Sequence, residues 1–253
     1  MRRIAVVLVV AAIAGAQPAF DTASVKLADP GPPYGPYRYQ ITPGGITMHK
    51  VSLGYCIRIA WGLKTAYDLA GPGWLDPPTE VRVNIDARTA APATESEIFL
   101  MLRSLLEERF ALQAHTEARE LKTYSLVQIR RDPALKYSEA VGEPKMKSGS
   151  KPHSTAFQHI SMAQLATYLS PPMTSRPVLD KTGLAGAFDF EIDLGPYILD
   201  AEGKLITDHR GAIDSEGANM QALRDQLGLV LKADHAPYAV LVVDHIEKKP
   251  TGN

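Results

Sequence analysis

The sequence predicts an α+β protein of two related β-α-β-β-α-β(-β) modules, each an antiparallel sheet covered by helices. Three observations lead there. The same order of patterns is written twice, in residues 45–129 and 159–246. Each copy has runs in which apolar and polar residues alternate, the mark of a strand with one buried face. Each copy also has capped segments of helical period.

The chain opens MRRIAVVLVVAAIAGAQPAF. Arg2 and Arg3, the apolar run Ile4 to Ala14 and the small residues Ala14-Gly15-Ala16 read as a signal peptide over 1–16. The protein is therefore expected to be secreted or periplasmic. No later apolar run approaches spanning length, so no membrane span is expected after signal cleavage.

The first module is expected over 17–129. Phe20 to Lys26 reads as a strand. Residues 29–45 hold five prolines with Tyr34, Tyr37 and Tyr39, which predicts an extended, partly polyproline arm. The arm either packs on the first module or orders on contact, and Tyr34 and Tyr37 are candidate partner-binding residues. GITMHKVSLGYCIRIAWGL, residues 45–63, is a short strand, then Ser52, then a helix. Gly71, Pro72 and Gly73 bend the chain ahead of a strand in which Val81, Val83 and Ile85 alternate with Arg82, Asn84 and Asp86. Trp74 beside that bend is either a core plug or an exposed binding aromatic. Thr94 and Glu97 form a capping box for a helix over Glu95 to Phe110, and residues 110–129 should be a hairpin.

Residues 130–157 are rich in Lys, Ser, Gly and Pro and predict a polar linker. The second module is expected over 158–253. Ser161 caps a helix with Gln164 three residues on, and Phe188, Phe190 and Ile192 alternate with Asp189, Glu191 and Asp193. Residues 195–217 read as an inserted loop. Asn219 to Gly228 reads as the second helix, stopped by its glycine, and residues 229–246 as the matching hairpin.

The stretch RPVLDKTGLAGAFDF, Arg176 to Phe190, tests whether chemistry hides in the fold. Lys181-Thr182-Gly183 matches a tripeptide of penicillin-recognising enzymes. Its Ser-x-x-Lys counterpart, Ser148 to Lys151, sits in the polar linker, and no Ser-Asp-Asn lies between them. Asp21-Thr22-Ala23-Ser24 resembles an aspartic-protease loop, but Asp21 and Asp180 occupy inequivalent places in the two copies. Asp180, Thr182, Gly183 and Gly186 read as turn formers, as do Gly71 and Gly73 in the first copy. No His-Glu-x-x-His, Cys/His cluster or Gly-x-Ser-x-Gly is present. No catalytic, metal or cofactor residue is therefore assigned. The lone Cys56 lies in an apolar run and reads as a buried thiol.

With 27 basic and 28 acidic residues and no basic tract, nucleic acid is a poor partner. The expected function is non-enzymatic binding of an envelope protein or glycan, with sheet-edge pairing as a mode. The alternative is a hydrolase of envelope polymers or peptides that uses carboxylate chemistry.

Several segments carry a family resemblance. In the first copy they are FDTASVKLADP (20–30), GGITMHKVSLGYCIRIAWGL (44–63), GPGWLD (71–76) and MLRSLLEERFALQAHTEARELKTYSLV (101–127). In the second they are ISMAQLATYLS (160–170), RPVLDKTGLAGAFDFEIDL (176–194) and Leu223 to Pro250. The chain resembles a large paralogous group of secreted proteins of unknown function from acidobacterial-type genomes. That group's domain is also appended to metallopeptidases of the β-lactam-sensor type. The resemblance implies extracytoplasmic sensing or binding and brings no catalytic residues.

Overall fold

The structure, a computed structural model, describes residues 18–28, 38–75, 79–130, 135–139 and 142–252. The signal segment, the arm over 29–37 and with it Tyr34 and Tyr37 lie outside the described residues.

Along the chain come β1 (Thr22–Leu27), β2 (Arg38–Thr42), β3 (Gly45–Ser52), α1 (Leu53–Trp61), β4 (Leu69–Ala70), β5 (Arg82–Arg88) and α2 (Glu95–Phe110). There follow β6 (Gln113–Gln128), β7 (Lys136–Tyr137), β8 (Lys145–Ser148), β9 (Ser154–Ser161), α3 (Met162–Leu169), β10 (Val178–Asp180) and β11 (Ala187–Asp193). The last are α4 (Gly195–Ile198), α5 (Ser215–Ala222) and β12 (Leu229–His245). The fold is α+β. The chain divides into two compact units, one built from residues up to 62, 71–114 and 243 onward, the other from 63–70 and 115–242.

In the first unit, an antiparallel sheet runs in the order β1-β5-β3-β2. Alternation puts Val83, Ile85 and Ala87 of β5 in the core, fully buried with Ile46, Met48 and Val51 of β3. Arg82 is also buried, held by Glu80 two residues before it on the same side of the chain. Ser52 caps α1 by accepting from Tyr55 N–H, and Gly62 ends it in the left-handed conformation. The Thr94–Glu97 capping box forms at α2, and Arg103 of α2 ties it to α1 by donating to the Ala60 carbonyl at 2.6 Å. Part of the proline-rich arm is a strand: β2 pairs with β3 across the Pro43-Gly44 turn.

In the second unit, an antiparallel sheet runs β7-β11-β9-β8. The stretch expected as a linker thus supplies β7, β8 and the start of β9. Its polar residues sit at an exposed sheet edge, every residue of β8 being exposed. Phe157 of β9 stacks on Phe190 at 4.9 Å and meets Tyr168 of α3 edge-on at 5.1 Å. Leu165, Ala166 and Leu169 of α3 bury their stripe in the same core as Leu126, Phe188, Ile192 and Leu223.

The two hairpins are absent as such. Residues 113–128 and 229–245 are each one long strand, because neither stretch holds a glycine or Asn-Gly turn to reverse it. They lie side by side at the centre of a third sheet, β10-β6-β12-β4. Its outer pairs are parallel, β10 with β6 and β4 with β12, where only antiparallel sheets were expected. The segment 195–217 is also more ordered than a loop. Pro196 sits in the first turn of α4, and Asp214 caps α5, whose start at Ser215 lies four residues ahead of the expected start at Asn219. Gly217 within the first turn disguised that start. The helix ends through a π-helical turn, Leu223–Leu227, with left-handed Gly228.

The two antiparallel sheets agree in detail. In each, a β-bulge interrupts the pairing before the first helix. Lys50 and His159 take positive φ of 54° and 55° there, two residues ahead of the capping serine. The Lys50 N–H donates to Asn84 Oδ1 at 2.9 Å and the His159 N–H to Asp189 Oδ1 at 2.8 Å, each acceptor lying on the adjoining strand.

Candidate functional site

The candidate site is a cleft of about 250 Å³ in the second unit, between α3 and β10. Ala166 and Val178 form its buried floor, and Ala163 and Thr167, four residues apart on one face of α3, form an exposed wall. The other wall is β10, the end strand of its sheet. Ser170 Oγ donates to the Ala166 carbonyl and accepts the Val178 N–H, both at 2.9 Å, which stitches the helix end to the strand.

The rim is the short turn that carries Lys64, Thr65 and Asp68. Asp68 is buried, and its carboxylate accepts from Lys64 N–H, Thr65 N–H, Thr65 Oγ and the Tyr238 hydroxyl. Burial, then the Asp68 carboxylate, pushes the Tyr238 hydroxyl up to about 12. Asp68 is saturated with donors, so it holds the rim in place rather than serving as a free base. Lys64 and Asp180 are exposed at the edge of the cleft and carry opposite charges.

The Lys181-Thr182-Gly183 corner follows β10 directly. Asp180 Oδ1 accepts from Thr182 N–H and Oγ at 2.9 and 2.8 Å, and Thr182 Oγ accepts from Leu184 N–H. Gly183 and Gly186 have φ of +72° and +98°, values that side chains resist. Lys181 reaches Asp234 at 2.9 Å, where the Ser125 hydroxyl and the His235 N–H also donate. Those three donors, the Ser125 hydroxyl first, hold the Asp234 carboxyl far below the usual carboxylate range.

In the first unit Leu75, only 1% exposed, is the core plug at the bend, and Trp74 is half-buried under Lys248 with Nζ 5.4 Å from its ring. Gly71 packs so closely that an added Cβ would stand 2.8 Å from the Leu75 side chain, whereas Gly73 has open space. Asp21 lines a separate hollow of about 240 Å³ with Glu108 and Arg109 of α2. Cys56 is buried, and burial pushes its thiol up to about 12. Among the described residues no group of three or more His, Cys, Asp or Glu is placed to hold a metal ion. No helix among them is long and apolar enough to cross a membrane.

Sequence reasoning missed the cleft, since Ala163, Thr167 and Ser170 carry no motif. One signal was present: the corner after β4 spans residues 71–81 and the corner after β10 only 181–186.

No curated protein and no solved structure matches the chain. Residues 54–246, three-quarters of the chain, match a family described as "Protein of unknown function (DUF3738)". The match takes in α1 from Gly54, the α3–β10 cleft and all of β12, and the chain belongs to this family.

Proposed function

We propose that the protein is a secreted or periplasmic binding protein, and that the cleft between α3 and β10 receives a short peptide segment of an envelope protein. The observation that carries this reading is an exposed face of α3 beside β10, the end strand of its sheet, with the polar groups around it already engaged. Ser170, Asp68 and Tyr238 hold backbone and one another, so an occupant is gripped and not transformed. The residues at the amino terminus read as an export signal, and the resemblance to domains appended to sensor metallopeptidases fits an extracytoplasmic role. The matched bulges, caps and strand orders support descent of the two modules from one duplicated ancestor.

Panning a displayed peptide library against the purified protein tests the reading. Bound peptides should be lost with Ala163→Trp or Thr167→Arg, which fill the cleft from exposed positions and leave the fold intact by circular dichroism. Enrichment insensitive to both substitutions would sink it.

A second reading, hydrolysis of envelope polymers or peptides by carboxylate chemistry, draws on Asp21 with Glu108 and Arg109 around one hollow. It requires turnover of peptidoglycan or peptide substrates that Asp21→Asn abolishes.

A further inference from the structure

We infer that the occupant of the α3 cleft is a compact Gly/Pro-type bend with one aliphatic anchor, of the kind that Gly73–Leu75 presents to α1. This rests on the peptide-binding reading and adds the chemistry of the peptide.

Helices α1 and α3 align in register by their own landmarks. Ser52 and Ser161 cap them, and each accepts the N–H three residues on at 3.2 Å. The buried positions then coincide: Leu53, Cys56, Ile57 and Ala60 against Met162, Leu165, Ala166 and Leu169. The second helical position is Gly54 in one and Ala163 in the other. At Gly54 an added Cβ would lie 2.4 Å from the Leu75 carbonyl oxygen, so only glycine lets that backbone approach. The bend that brings it there closes through Leu75 N–H to the Pro72 carbonyl at 3.0 Å, and the Leu75 side chain is buried.

The second unit has no such segment among its described residues. Its corner is only six residues long, ends at Gly186, and is spent on the turn around Thr182. Ala163 is left exposed, and the cleft opens beside it. A cavity of about 150 Å³ accommodates benzene, so one of about 250 Å³ has room for a leucine-sized side chain and its peptide group. The floor of Ala166 and Val178 suits an aliphatic group, and the rim of Lys64 and Asp180 suits the polar termini of a short bend. The first unit thus shows, within the same chain, which chemistry fills this helix face.

Fluorescence anisotropy of a labelled, end-capped peptide of sequence Gly-Pro-Gly-Trp-Leu-Asp tests the inference with the purified protein. Saturable binding is expected, weakened at least about tenfold when its Leu is replaced by Ala or Asp, as loss of a buried leucine side chain requires. Ala163→Trp should abolish binding, and Ala163→Gly, which restores the contour of α1, should retain or tighten it. If this peptide fails to bind while library-selected peptides without an aliphatic anchor bind and are lost in Ala163→Trp, the inference is overturned and the peptide-binding reading survives. If no peptide responds to Ala163→Trp, both fall. Concentration-dependent self-association abolished by Ala163→Trp would also overturn it, by showing that a second copy of the chain occupies the cleft.

Discussion

The corner after α1 and the corner after α3 begin from nearly the same local structure and end differently. Both helices follow a bulge with a left-handed residue and a serine cap. In the first unit the chain after β4 bends over Pro72 to Leu75 and seats Leu75 on Gly54. In the second a six-residue corner turns on Asp180, Thr182 and Gly183 and leaves Ala163 and Thr167 of α3 exposed. The difference teaches that the length of one loop decides whether the same helix position is a core contact or the wall of an open cleft.

The largest effect should come from removing the cover where it exists. Leu75→Ala leaves a cavity against α1 and should cost about 2–5 kcal/mol in urea unfolding. Leu179→Ala, at a half-exposed cleft wall, should cost clearly less. Equal costs would erase the contrast between filled and open faces.

Next comes the contact itself. Gly54→Ala drives a methyl into the Leu75 carbonyl and should destabilise by about 1–3 kcal/mol, although alanine is the better helix former. Ala163→Ser, at the matching position of α3, should stay within about 0.5 kcal/mol.

A smaller effect belongs to the rim of the cleft. Tyr238→Phe removes the hydroxyl that Asp68 accepts and should cost about 1–2 kcal/mol at neutral pH. The hydroxyl has a higher pKa in the folded protein than in the unfolded chain, so its contribution is complete below pH 10 and is lost between about 10 and 12. The wild-type protein should lose stability over that range more steeply than Tyr238→Phe, and parallel curves would contradict the assignment.

The smallest effect sits at the corner's ion pair, which is partly exposed. The Asp234 carboxyl is depressed by folding, so its contribution is present above its unfolded pKa and fades as pH falls below it. Asp234→Asn should flatten the acid side of the stability profile slightly and leave the alkaline side unchanged.

Much of this architecture was legible because local chemistry dictated it. Thr94 with Glu97 and Ser161 with Gln164 are capping boxes on the page before they are in space. The alternation in β5 and β11 pointed to the buried Val83, Ile85, Phe188 and Ile192, though Phe190 is half-buried and Arg82 is buried with Glu80, and the apolar surroundings of Cys56 foretold its burial. What failed was pairing at a distance. The one local clue in residues 113–128 and 229–245 is the lack of a glycine or Asn-Gly turn, and β12 offsets it with Pro237. The polar composition of 130–157 suited an exposed edge strand as well as a linker. The cleft is defined by what is missing opposite Ala163, and an absence has no residue type.

Hydrogen exchange of the purified protein with and without the Gly-Pro-Gly-Trp-Leu-Asp peptide addresses the central claim most directly. Protection should rise over residues 162–182, which hold α3, β10 and the start of the corner, and stay unchanged over 53–62 and 71–75, where the face is already filled. Protection that rises in both helices, or only away from α3, would contradict the account.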